Sequence, residues 1–121
     1  MAFTSDITLH NAAEGNQVYS LVSQDNTRSV RKDATRPIGA PMGLTIAHEI
    51  SKDGTKVNTA VWLERTEIDD ESLVIENGKI LLKLSYTKGV VLTADDIQEL
   101  RKELVEFLSA ANVTKLLNQE H

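Results

Sequence analysis

Leu44-Thr45-Ile46-Ala47-His48-Glu49-Ile50 and Lys56-Val57-Asn58-Thr59-Ala60-Val61-Trp62-Leu63-Glu64, joined through Lys52-Asp53-Gly54-Thr55, read as two strands folded back on one another. Both runs alternate in the period of two that a half-buried strand requires. Asp-Gly between them tolerates the positive φ of a tight hairpin turn. The period assigns faces: Leu44, Ile46, Ile50, Val57, Val61 and Leu63 point one way. Thr45, Ala47, Glu49, Lys56, Asn58, Ala60 and Trp62 point the other.

Working outward, Ile7-Thr8-Leu9 and Gln17 to Leu21-Val22 flank a polar stretch, Asn11 to Asn16, that contains Gly15 and predicts an opening hairpin. From Gln24 to Gly43 the pattern breaks into the basic segment around Arg28, Arg31, Lys32 and Arg36, followed by Pro37, Gly39, Pro41 and Gly43. Prolines remove backbone donors, so an edge strand at most, then a loop, is expected there. Downstream, Glu67 to Ser72 is an acidic loop, and Leu73-Val74-Ile75 and Ile80 to Tyr86 surround Asn77-Gly78, a second hairpin signal. Parity sets Ile80, Leu82, Leu84 and Tyr86 on one face, and Leu81, Lys83, Ser85 and Thr87 on the other.

At Thr93 the period becomes 3.6. Thr93-Ala94-Asp95-Asp96 forms a capping box with Asp in place of Glu, its carboxylates at the positive end of the helix dipole. Ile97, Leu100, Leu104, Phe107, Leu108 and Ala111 make the apolar stripe. Asn112 is expected to end or kink this helix, and Val113-Thr114-Lys115-Leu116-Leu117 to form a short second one. Strands first and helices last give an α+β domain over 1–121: a hairpin and antiparallel sheet over 1–92, and helices over 93–121.

The 121 residues suffice to bury a core without crosslinks, and with no cysteine there are no disulfides or thiolate metal sites. Met1 to Asp6 lacks the basic and apolar regions of a signal peptide, and no apolar run reaches a membrane span, so use inside a cell is expected, with no membrane partner. The net charge of −5 argues against a uniformly basic nucleic-acid binder. The acidity is confined to the second half, since residues 1–63 hold 6 basic and 6 acidic groups and residues 64–121 hold 7 and 12.

Five or six strands make a sheet about 25 Å wide, whereas one helix covers about 10 Å. One chain therefore leaves apolar sheet uncovered. A two-fold partner whose helices cross onto the same face, or whose edge strand extends the sheet, supplies the cover. An obligate dimer is expected, with Ile97, Leu100, Leu104, Phe107 and Leu108 at its interface.

The order of elements resembles the coat proteins of small single-stranded RNA bacteriophages, the levivirus group, over nearly the whole chain. The likeness rests on the hairpin at Thr8-Leu9-His10-Asn11, the Asp53-Gly54 turn, a long inter-strand loop, Thr93-Ala94-Asp95-Asp96, Leu100-Arg101-Lys102-Glu103-Leu104 and Phe107-Leu108-Ser109. It implies an intertwined dimer with one continuous sheet covered on one face by helices. Such dimers self-assemble into an icosahedral capsid, so the virion, assembled in the host bacterial cytoplasm, is the expected location. It also implies that the inner sheet face binds an RNA hairpin of the genomic single strand, as translational repressor and packaging signal. Mapped residue by residue, that face holds Thr45, Lys56, Asn58, Lys83 and Ser85, with Trp62 available to stack on a base. Ala47, Glu49, Ala60 and Leu81 lie among them where the family carries more basic and aromatic side chains. The loop from Glu67 to Lys79, with Asp69, Asp70, Glu71, Asn77 and Gly78, corresponds to the one that meets its copies around the symmetry axes.

Each site residue also has a plainer reading. Trp62 either stacks on a base or packs on the sheet, and Arg28, Arg31, Lys32 and Arg36 either meet phosphates or guard an edge strand. The acidic loop either binds a cation such as calcium at a subunit junction or is simply solvated; it lacks EF-hand spacing. His10, His48 and His121 lack metal-ligand spacing, so no metal and no cofactor is expected. No nucleophile elbow or phosphate-cradling glycine loop is present, and His48 and Glu49, adjacent in a strand, point to opposite faces. An enzyme with a small-molecule substrate is not expected. The competing reading is a small cytosolic dimeric α+β module that binds nucleic acid or another ligand without assembling.

Overall fold

Alternation and turn chemistry generate six strands: β1 (Asp6–Asn11), β2 (Gly15–Gln24), β3 (Arg28–Asp33), β4 (Met42–Ile50), β5 (Lys56–Ile68) and β6 (Ile75–Thr87). The structure, a computed structural model, describes residues 3–11, 15–89 and 91–120. Met1-Ala2, residues 12–14 of the first predicted turn, Val90 and His121 lie outside these. The strands lie side by side in chain order in one antiparallel sheet. This sheet belongs to one compact unit, Met1–Tyr86, and the helices to another, Thr87–His121.

The segment over 44–64 folds as its pattern requires. Leu44 pairs with Leu63, Ile46 with Val61 and Ile50 with Val57 on one face, whereas Thr45 pairs with Trp62, Ala47 with Ala60 and Glu49 with Asn58 on the other. Gly54 takes φ +73 in the turn. Asp53 locks that turn by accepting from Ser51 Oγ at 2.6 Å, Thr55 Oγ1 at 2.8 Å and the Thr55 amide at 3.0 Å. In the opening hairpin Ile7 pairs with Tyr19, and Asn11 with Gly15, where φ is +80. The core is the first face: Tyr19, Met42 and Leu44, with Ile7 and Val61 packed against them.

Two expectations are corrected within this unit. β3 is not an edge strand; it lies between β2 and β4. Pro37 and Pro41 fall beyond its end, so every ladder donor is intact. Its cationic Arg31 is only 2% exposed. Burial is offset by hydrogen bonds from its guanidinium to the Thr4 carbonyl at 2.9 Å, the Ser5 carbonyl at 3.3 Å and Ser29 Oγ at 2.7 Å. Nor does Asn77-Gly78 turn the chain, because both residues lie inside the unbroken β6. The reversal sits at Asp69 to Val74, where the Asp69 amide donates to the Val74 carbonyl at 2.9 Å and Leu73 adopts φ 60. The Asp69 carboxylate accepts from the Glu71 amide at 3.0 Å and Ser72 Oγ at 2.9 Å, which stabilises the turn without glycine.

The second unit contains α1 (Ala94–Phe107) and α2 (Ala110–Leu117). The capping box is present: the Asp96 amide donates to Thr93 Oγ1 at 3.3 Å and the Thr93 amide to Asp96 Oδ2 at 2.9 Å. The break falls at Leu108-Ser109 rather than at Asn112, which lies inside α2. Ser109 caps the new helix by accepting from the Asn112 amide at 3.3 Å, and the Asn112 side chain donates to the Phe107 carbonyl at 2.6 Å. Groups orphaned by the break thus find partners on both sides of it. No described residue of either helix is buried, and Leu104 and Phe107 are 40% and 53% exposed. Neither helix is long and apolar enough to cross a membrane.

Candidate nucleic-acid interface

Opposite the core face, the second parity set lines an open groove of about 790 Å³. Its rows follow from register. Arg28 pairs with Ala47 and Ala47 with Ala60, while Thr45 pairs with Trp62 and Glu49 with Asn58. Two cross-strand bonds place β6 beside them: Ser85 Oγ donates to Asn58 Oδ1 at 2.7 Å, and Asn77 Nδ2 to Thr66 Oγ1 at 2.8 Å. Both fit one antiparallel register, which sets Leu81 beside Trp62, Lys83 beside Ala60 and Lys79 beside Glu64. The walls and floor include Arg28, Ala47, Glu49, Asn58, Ala60, Trp62, Lys79, Leu81 and Lys83.

Trp62 is the centre of the site. Its indole Nε1–H donates to Glu64 Oε1 at 2.5 Å, which fixes the ring's orientation. Lys79 Nζ lies 4.7 Å from the ring centroid and the Arg28 guanidinium carbon 5.6 Å from it. Each such contact is worth about 0.5–1 kcal/mol at an exposed site. Both cations lie over the ring, so a base stacks on Trp62 in place of one of them, and the displaced cation is then at hand for a phosphate.

Of the residues assigned from sequence to this face, Asn58, Trp62 and Lys83 line the groove, and Ser85 reaches it through its bond to Asn58. Thr45 shares the face but is 8% exposed, between Val30 and Trp62. Lys56 stands at the outer end of β5, exposed and outside the groove. Lys79 was missed because the expected turn at Asn77-Gly78 removed it from the strand. Continued alternation back from Leu81 is the signal that finds it. The basic segment divides: Arg28 joins the groove and Arg31 is buried on the opposite face. Arg36 donates to Glu67 Oε1 at 2.8 Å and to the Ala40 and Thr66 carbonyls at 2.9 and 3.0 Å, so it braces the loop before β4.

Electrostatics elsewhere are local. Hydrogen bonds from Arg65, at 2.6 Å, and from Arg36 hold the Glu67 carboxyl below its ordinary range. Ser51 and Thr55 lower Asp53 to about 2, and the Glu71 amide and Ser72 lower Asp69. Asp69, Asp70 and Glu71 form the β5–β6 turn, whereas Asn77 and Gly78 stand apart from it in β6. Among the described residues no three His, Asp or Glu side chains gather as a metal site.

No family model matches the chain. No curated protein matches it in sequence. Solved structures do match, over its full length. A virus-like particle of Beihai levi-like virus 21 superimposes with a TM-score of 0.77 at 13% identity, over 99% of this chain and 98% of that one. The coat protein of bacteriophage EMS014 gives 0.68 at 17% identity, over 98% of both. An unassembled virus coat protein dimer, a bacteriophage RNA-binding dimer, gives 0.60 at 17%, over 96% and 94%. At such identities the likeness lies in the path of the backbone: six antiparallel strands followed by two helices, the coat-protein fold of levi-like viruses and RNA bacteriophages.

Proposed function

We propose that this chain is a virion coat protein that dimerises and self-assembles into an icosahedral capsid around genomic single-stranded RNA. The full-length coat fold, found in virus-like particles, is the observation that carries this reading. The exposed stripe of Leu100, Leu104, Phe107 and Leu108 supports it, since an apolar face of this extent calls for a cover, and a second copy supplies one symmetrically. β6 supports it too: Ile80, at 72% exposure, and Leu82 leave apolar surface on the last strand of the sheet, where a two-fold mate extends the sheet and its helices cross over it. Ile97, Leu100, Leu104, Phe107 and Leu108 then form the dimer interface, and the turn at Asp69, Asp70 and Glu71 meets other dimers.

On this reading the sheet lines the capsid interior, with the groove around Trp62 facing the RNA. The similar RNA-binding coat dimer supports the assignment. Arg28, Lys79 and Lys83 supply charge, Trp62 stacks, and Asn58 with Ser85 hydrogen-bonds; Thr45 and Lys56 form the margins. Binding of an RNA hairpin there serves repression of translation and packaging. The role is structural rather than catalytic, exercised in the virion after assembly in the bacterial cytoplasm.

The test is expression in bacteria, followed by size-exclusion chromatography with light scattering and negative-stain microscopy. Uniform hollow spheres rich in RNA absorbance are expected. A stable dimer that forms no particles even with added RNA overturns the coat reading and leaves the ligand-binding module.

A further inference from the structure

The groove is not uniformly cationic. Arg28 and Lys79 lie over Trp62 and Lys83 stands beside Ala60, but the row beyond Ala47 and Ala60 carries Glu49 opposite Asn58. Same-face residues in a strand stand about 7 Å apart, so the Trp62 row and the Glu49–Asn58 row are separated by about 14 Å, with the methyl groups of Ala47 and Ala60 between them and Arg28 and Lys83 at the two ends of that middle row. That hollow accommodates one base. Asp25, also in the lining, is already engaged: its Oδ1 accepts from the Thr27 and Arg28 amides, each at 2.8 Å. Glu49 is exposed and enters no hydrogen bond or ion pair among the described residues. Asn58 Oδ1 accepts from Ser85, which leaves its amide nitrogen as a donor.

A carboxylate in a phosphate-binding groove repels the backbone of the ligand. Its favourable partner is an N–H on a base edge. Cytosine offers the N4 amino group, adenine the N6 amino group, and guanine N1–H with its N2 amino group; uracil offers one N–H flanked by two carbonyl oxygens that repel a carboxylate. Resting on the RNA-binding reading above, we propose that Glu49 is the base-selecting residue of the groove: it admits an unpaired nucleotide whose base carries an amino group and rejects uridine. Trp62 and the surrounding cations hold the nucleotide, and Glu49 reads its edge.

Seven-nucleotide single strands, uridine except at the central position, test this by quenching of Trp62, the sole tryptophan, in purified protein stripped of nucleic acid. Central A, C or G is expected to bind about tenfold more tightly than central U. Glu49→Gln, whose amide both donates and accepts, erases the ranking, and Glu49→Lys tightens all four strands to a common affinity. Equal affinities for the four strands in the parent protein, or a ranking that survives Glu49→Gln, overturn base selection while leaving RNA binding intact. If no strand quenches Trp62 or is retained in filter binding, the RNA reading of the face falls, and the selection with it. Particle formation by Glu49→Gln verifies that the variant folds.

Discussion

On the proposed reading Trp62 serves binding, whereas Asp53 serves folding. The indole is oriented by its bond to Glu64 and carries Lys79 and Arg28 over its ring, and on the proposed RNA-binding reading a base stacks there in place of a cation. Trp62→Ala is expected to weaken RNA affinity about tenfold, the scale of one lost base stack, with Trp62→Phe intermediate; filter binding measures both. Particles still form, because the core lies on the other face. Lys83→Ala weakens RNA binding and lowers its salt dependence, whereas Lys56→Ala changes both less, since Lys56 stands outside the groove. Asp53 acts on stability. Its pKa falls from 3.8 to about 2 on folding, so its contribution is fully present above the unfolded value and is lost as pH falls through the folded one. Asp53→Ala is therefore expected to melt lower than the parent at neutral pH, and thermal melts should show the gap closing as pH drops from about 4 toward 2.

The elements differ in how much of their definition is local. α1 begins where Thr93 and Asp96 satisfy each other's backbone groups, and α2 begins where Ser109 accepts from Asn112. The Ser109→Ala change removes that acceptor and should cost about 1 kcal/mol in chemical denaturation, while Ser109→Asp retains it. β5 and β6 are each 13 residues long, and the turn between them depends on Asp69. Placing the second hairpin at Asn77-Gly78 failed because both residues continue the ladder, with Asn77 bonded across to Thr66. A turn dipeptide states what a backbone tolerates; pairing with the neighbouring strand decides whether it bends.

For the whole molecule, surface left bare is the guide to assembly. Helices without a buried residue and an exposed β6 give the fold a reason to associate that no single chain satisfies. Leu104→Asp places a charge in that apolar stripe, where burial without a partner costs several kcal/mol. Light scattering is expected to show loss of the dimer and microscopy loss of particles, whereas Glu106→Lys, opposite the stripe at 3.6 residues per turn, retains both. Assembly of the Leu104→Asp variant removes this stripe from the interface.

Alternation over 44–64, the Asp53-Gly54 turn, the capping box at Thr93 and the passage from strands to helices were legible in the sequence alone. Each rests on contacts within a few residues, so its signal is written locally. The two faces of β4 and β5 were legible for the same reason, and with them Asn58, Trp62 and Lys83 of the groove. Only the tertiary structure placed β3 inside the sheet, buried Arg31 against the carbonyls of Thr4 and Ser5, and ran β6 unbroken through Gly78 so that Lys79 reaches Trp62. Those features depend on which strands lie side by side and in what register, and lateral pairing is set by residues far apart in the chain.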